Sequence, residues 1–335
     1  MATGAGARRA ALCGLLVLTA WLYAPTLTHG YQYEDVNWLE GRPVVWQVPS
    51  RALAAWSHAV VGDRPAVDHA INVALHLVNG ALVAAVGGAL ASPAASYGAA
   101  AVFLLHPLNS AAVSYLTART DLLMTLWVLL AVWVSLGSFA WWRLPLVLGA
   151  CVLAAMSKEI GVVSLGLVAL TAVLWSPSWR VPLAICAAVS LLLMPDRVWA
   201  WLSLSAPMGG AAVAWTDSLL LQNGMLWHLL SLVIWPAGFS IDHDVLALSP
   251  LTLVVSAALT LSTITLIALG WRRAPVMAWA LAWGLASVGP RFVFRTSEWI
   301  TEPQMLLSTV GISVLVGAGL AWLWSPAPRL TERTT

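Results

Sequence analysis

A chain of 335 residues that is 60% hydrophobic, only 9% charged and +2 in net charge is not a soluble domain. Soluble domains carry about 25% charged residues, and this chain has too few to cover a water-facing surface. The arginines are scattered and form no basic run, which excludes nucleic acid as a partner. Cys13, Cys151 and Cys186 fall in apolar stretches, which excludes a disulfide framework and a metal knuckle.

In chain order, Arg8 and Arg9 precede a first apolar span over 10–29 and hold the N-terminus on the cytoplasmic side. No Ala-x-Ala-like site follows, so this span is expected to remain as an anchor rather than be cleaved as a signal peptide. A polar loop over 30–66 carries Tyr33-Glu34-Asp35-Val36-Asn37-Trp38, then Arg42, Arg51, Asp63 and Arg64-Pro65. Spans follow at 67–91, 94–107, 120–140, 143–156, 160–176 and 180–195. In the next loop, 196–249, residues 225–239 are apolar but end in Pro236, Gly238 and Asp242-His243-Asp244, the pattern of a half-inserted outer helix. The last spans, 250–271, 274–290 and 304–324, bracket a loop containing Arg291, Arg295, Glu298 and Glu302.

A bilayer core of about 30 Å takes roughly 20 apolar residues in a straight helix. Several spans are shorter, so their helices are expected to end in a protein-lined cavity. The expected fold is an all-α integral membrane protein, a polytopic bundle of about ten transmembrane helices plus the half-inserted one. It forms a single domain over 1–328 with a cytoplasmic tail over 329–335. Tryptophans at span ends, among them Trp21, Trp175, Trp179, Trp271, Trp322 and Trp324, suit the headgroup level.

This layout puts every acidic residue except Glu332 on the outer face, together with every histidine except His76, which lies within a span. A scaffold has no physical reason to collect its titratable groups on one face; an enzyme working outside the cytoplasm does. On the second span, Asp68, His69, Asn72, His76 and Asn79 form one stripe at about 100° per residue. Unpaired polar groups are costly in lipid, so the stripe faces protein or a wet cavity. Asn72, His76 and Asn79 serve either as interhelical glue or as site lining. Asp68 and His69, at the mouth, read as a site.

Glu34-Asp35 is either a solvated turn or a pair in which one carboxylate acts as general base for an acceptor hydroxyl. A second carboxylate alongside raises the pKa of the first or shares a divalent cation with it. Lys158-Glu159, between two apolar spans, is either an internal ion pair joining helix ends or a source of cation for a phosphate, with Arg119.

The ordered series of motifs resembles the GT-C superfamily of membrane glycosyltransferases. The nearest likeness is to the membrane half of the transmembrane and tetratricopeptide-repeat O-mannosyltransferases. The likeness covers most of 30–311. It runs through Glu34-Asp35, Arg64-Pro65, His69-x-x-Asn72-x-x-x-His76, His106-Pro107, Arg119-Thr120-Asp121-Leu122-Leu123, Ser157-Lys158-Glu159, Trp235-Pro236, Asp242-His243-Asp244 and Glu302. The resemblance implies a sugar donor on a polyprenyl phosphate and a protein or glycolipid acceptor. It makes Asp35 the base with Glu34 as its acidic partner. Arg64, His69, His106, Arg119, Asp121, Lys158, Glu159, Asp242, His243 and Glu302 are then substrate-binding. Ala111 and Pro303-Gln304 depart from the family pattern, and the repeats are missing. The alternatives are a non-catalytic scaffold of the same fold and a lipid-linked-glycan transporter, which would show an internal repeat.

Overall fold

The computed structural model describes residues 2–31, 35, 48–193, 215–240, 243, 248–293 and 300–324, so Glu34, Asp242 and the tail lie outside the described residues. Every regular element among the described residues is helical. Helix α1 (Ala2–Tyr23) continues into a 3₁₀ turn, Ala24–Thr28. Helix α2 (Val48–Val61) occupies ground expected to be loop. It ends at Gly62, whose φ of 79° is open to a residue without Cβ, and the Gly62 N–H returns to the His58 carbonyl at 2.9 Å.

That turn leads directly into α3 (Pro65–Leu90). Arg64 is extended, as a residue before proline should be, and Pro65 starts the helix where no N–H is needed. Helix α4 (Ala95–Leu105) stops at His106 for the same reason, Pro107 being next. A 3₁₀ turn (Pro107–Asn109), the short α5 (Ser110–Ser114) and α6 (Arg119–Ser135) follow. The segment Pro107–Ser114 is bent by 113° against α6. Helix α7 (Leu144–Ser157) ends where Lys158 becomes extended. A 3₁₀ turn (Glu159–Val163) then leads to α8 (Ser164–Trp175), and α9 (Arg180–Leu193) comes next.

The second half comprises α10 (Trp215–Ile234), α11 (Pro250–Gly270), α12 (Pro275–Val293) and α13 (Leu306–Trp324), the last preceded by a 3₁₀ turn, Glu302–Met305. Helix α10 overlaps the expected half-inserted helix over 225–234 but begins earlier and ends before Trp235. Every expected apolar span contains a helix among its described residues, yet fewer than ten qualify as crossings by length and apolarity. Four helices do (Ala10–Thr28, Pro65–Leu90, Pro250–Gly270 and Glu302–Trp324), or up to five if the bent pair counts as one. The others are shorter or interrupted by polar groups, as at Ala95–Leu105 and Leu144–Ser157.

Helices α3, α4, α6, α7, α8, α12 and α13 supply most of the main apolar core. Small residues bring α13 against α4: a Cβ on Gly317 would lie 2.5 Å from the Ala95 carbonyl oxygen. Trp279 and Trp283 are fully buried, and their indole N–H groups donate to Thr171 Oγ1 at 2.9 Å and to the Leu307 carbonyl at 2.8 Å. By contrast, Val17 and Trp21 on α1 and Leu251, Val254, Leu261 and Leu269 on α11 are exposed. An apolar surface of that extent belongs against lipid or another protein rather than water.

Candidate functional site

The titratable groups converge at one end of the bundle, where the first turns of α3, α6 and α13 meet the last turns of α4, α7 and α12. Asp68 and Asp121 lie in the first turns of α3 and α6, and Glu302 opens the 3₁₀ turn before α13, where the helix dipole favours a negative charge. Arg291 lies in the last turn of α12, where the dipole favours a positive one.

Four clusters make up this end. In the first, Asp68 is 1% exposed and Arg119 is fully buried. Arg119 Nη2 donates to Asp68 Oδ1 at 2.8 Å and to the Asp68 carbonyl at 2.9 Å, while its Nε donates to Asn72 Oδ1 at 2.9 Å. On the other side of the same carboxylate, Oδ2 accepts from His58 Nε2 at 2.8 Å and faces the Tyr31 hydroxyl at 3.1 Å. Tyr31 also makes a short hydrogen bond to Asp63 Oδ1. Burial, and then the carboxylates of Asp63 and Asp68, push the Tyr31 phenol up, so it stays protonated and donates.

The second cluster is built in the bend between α5 and α6. Asp35 is 1% exposed, and its Oδ1 accepts from both the backbone N–H and the hydroxyl of Thr117, each at 3.0 Å. His69 is also 1% exposed, and neither ring nitrogen has a hydrogen-bond partner among the described residues. The Gly30 backbone comes near the ring without meeting hydrogen-bond geometry, and Asp35, Asp68 and His29 act on it electrostatically. The His29 ring stands edge-on to it at 6.0 Å.

The third cluster joins two ion pairs. Lys158 Nζ lies 2.5 Å from Asp121 Oδ2, and Arg291 Nη2 lies 3.0 Å from Glu159 Oε1. Asp121 is fully buried, whereas the Lys158 side chain keeps 15% of its surface. The neighbouring residues Lys158 and Glu159 therefore do not pair with each other. Lys158 has extended backbone, so its side chain and that of Glu159 point to opposite sides.

In the fourth cluster, buried Glu302 accepts from His243 Nε2 at 2.9 Å and from the Ser240 N–H at 2.7 Å. His228 Nε2 donates to His243 Nδ1 at 3.4 Å, which assigns the His243 tautomer. Thr301 and Gln304 form a capping box around this turn, so Gln304 has a structural task.

The polar stripe of α3 divides as follows. Asn72 Nδ2 donates to the carbonyls of Val113 (3.2 Å) and Tyr115 (3.3 Å), His76 to Leu104 (3.2 Å) and Asn79 to Leu122 (2.9 Å). These are glue: each ties α3 to a backbone carbonyl of a neighbouring helix or of the bend that leads into α6. His106 is occupied in the same way. Its Nδ1 accepts from the Leu108 N–H at 3.1 Å and its Nε2 donates to the Val233 carbonyl at 3.0 Å. Arg64 is exposed beside the first cluster.

The structure thus groups Asp35 with His69, Arg119 with Asp68, Asp121 with Lys158 and Glu159, and His243 with Glu302. It leaves His106 and Arg64 outside these groups. Tyr31, His58, Asp63, Thr117 and Arg291 belong to the polar end although the motif series passes over them. The signal for Arg291 was a lone cation closing an apolar helix. For His58 and Asp63 it was the Gly62 break that folds one back on the other. No protein-family model, no curated protein and no solved structure matches the chain.

Proposed function

We propose that the chain is a GT-C-like hexosyltransferase that moves a sugar, mannose or another hexose, from a polyprenyl-phosphate donor to a protein or glycolipid acceptor. In this proposal the shorter helices complete a bundle of about ten crossings in the bacterial inner membrane. The polar end faces the exterior, and both termini are cytoplasmic. The observation that carries the reading is Asp35, a carboxylate buried at the polar end with one oxygen fixed by two donors of Thr117. Fixing one oxygen sets the direction of the other, as a general base requires.

The acceptor oxygen attacks the anomeric carbon as its proton passes to Asp35, and the bond from that carbon to the phosphate oxygen breaks. The departing lipid phosphate gains negative charge, so a cation at the site acts more strongly in the transition state than in the ground state. Lys158, the least buried member of its ion-pair cluster apart from Glu159, is the residue we assign to it. Arg119 is fully buried and holds Asp68 and Asn72, which gives it a positioning task.

The test is Asp35→Asn in purified protein supplied with radiolabelled polyprenyl-phosphate mannose or glucose. Transfer should fall by about 10²–10⁴-fold with melting temperature nearly unchanged. A variant that keeps more than roughly a tenth of the wild-type rate removes Asp35 from the role of base.

A further inference from the structure

We infer that His58, Asp63 and Asp68 form a binding site for a divalent transition-metal ion of the Zn²⁺ type at the mouth of the polar end. The three ligand atoms, one imidazole nitrogen and two carboxylate oxygens, all lie within 4.8 Å of one another. His58 Nε2 is 2.8 Å from Asp68 Oδ2 and 4.0 Å from Asp63 Oδ1. An ion bonded at about 2.0–2.2 Å to each ligand needs separations of roughly 3–4 Å, so small side-chain shifts suffice. A mixed nitrogen and oxygen donor set suits Zn²⁺ better than Ca²⁺ or Mg²⁺, which prefer oxygen alone.

Local chain geometry builds this site. The left-handed turn at Gly62 brings Asp63 back to His58 at the end of α2, and Arg64-Pro65 starts α3 so that Asp68 comes up in its first turn. The group is more than a solvated acidic patch, because Asp68 is 1% exposed. Proton bookkeeping also leaves a deficit. The Tyr31 hydroxyl lies against both Asp63 Oδ1 and Asp68 Oδ2 and has one proton for two acceptors.

The residues that metal ligands require around them are in place. Asp68 Oδ1 is held by Arg119 at 2.8 Å, and the Tyr31 hydroxyl supports the other oxygens. With the ion bound, His58 presents the Nε2 lone pair and keeps its proton on Nδ1. The Asp63 side chain is 69% exposed, which gives the ion an entry path and leaves a fourth position to water. The site would tie the end of α2 to the start of α3, and it does not depend on sugar transfer.

The experiment uses full-length protein without a polyhistidine tag, purified in detergent and stripped with a chelator. Zn²⁺ is then titrated, with bound metal measured by elemental analysis after desalting and stability by thermal unfolding. The wild type should hold one Zn²⁺ per chain and melt at a higher temperature with it. His58→Gln and Asp63→Asn, both on accessible side chains, should each weaken Zn²⁺ at least about tenfold while folding as the wild type does without metal. A wild type that retains no stoichiometric Zn²⁺, or variants that bind it as tightly as the wild type, would overturn the site. Equal binding of Mg²⁺ or Ca²⁺ would overturn its assignment to a transition metal.

Discussion

Replacing Arg119 by Met tests whether the polar end is a dry, prearranged structure. The guanidinium is fully buried and donates to Asp68 twice and to Asn72 once. Opposite charges 2.8 Å apart attract by about 6 kcal/mol at an effective dielectric constant of about 20. Desolvation of the two ions cancels most of that, so the pair itself is worth little net. Removing one partner is different, because it takes from the remaining buried charge the opposite charge 2.8 Å away, which for a buried pair costs about 3–5 kcal/mol. Arg119→Met and Asp68→Asn should therefore each destabilise by about 3–5 kcal/mol. The double variant should cost about 1–3 kcal/mol, the residue of the orphaned Asn72 and Asp68 carbonyl acceptors. The assay is unfolding in mixed micelles against increasing SDS mole fraction, followed by tryptophan fluorescence. Additive costs in the double variant, or a loss below about 1 kcal/mol for Arg119→Met, would refute a buried pair.

Two further outcomes are expected. Burial and then the adjacent His243 hold the His228 pKa below its ordinary 6.5, with Glu302 acting the other way. A histidine neutral in the fold and charged when unfolded supplies stability above that value that is lost as pH falls. His228→Gln should thus flatten the difference in melting temperature between about pH 7.5 and about pH 5.5, and an unchanged difference would exclude this histidine as its source. For sidedness, Arg64→Cys and Arg273→Cys, both at exposed positions, would be placed in a background with Cys13, Cys151 and Cys186 replaced by Ala. A membrane-impermeant maleimide should label the first on intact cells and the second only after permeabilisation; the reverse pattern would put the polar end in the cytoplasm.

Helix ends were legible because proline, glycine and composition write them locally: Arg64-Pro65, His106-Pro107 and Ser249-Pro250 each mark a boundary the structure keeps. The stripe on α3 was legible too, since a run of polar groups at helical spacing must be covered. What it touches was not, because the partners of Asn72 and Asn79 are carbonyls about forty residues away, in the bend between α5 and α6 and in the first turn of α6. Pairing of charges was the least legible. Lys158 sits beside Glu159 in the chain but bonds Asp121, since one extended residue turns the two side chains apart. The number of crossings stayed open for a related reason, as hydropathy registers apolar segments without showing how far a broken helix reaches.

Helix polarity accounts for the collection of charges at one end. Adjacent antiparallel helices present a first turn and a last turn side by side, so an acid on one and a base on the other are each favoured by their own dipole and by each other. Asp68 with Arg119 is a variation, with both residues at N-terminal turns and the cation held by Asn72 as well. Groups satisfied in this way behave as fasteners, and Arg119, Asn72, His106 and Gln304 belong to that set. A site needs side chains whose bonding the fold leaves open. At the polar end, His69 has neither nitrogen bonded, and Asp121 Oδ1 has no partner while Lys158 holds its Oδ2. Both lie in the same end of the bundle as Asp35, on α3 and α6, which Arg119 joins through Asp68. Rigidity from the fasteners and open valence at these positions are what prearranged electrostatic catalysis requires.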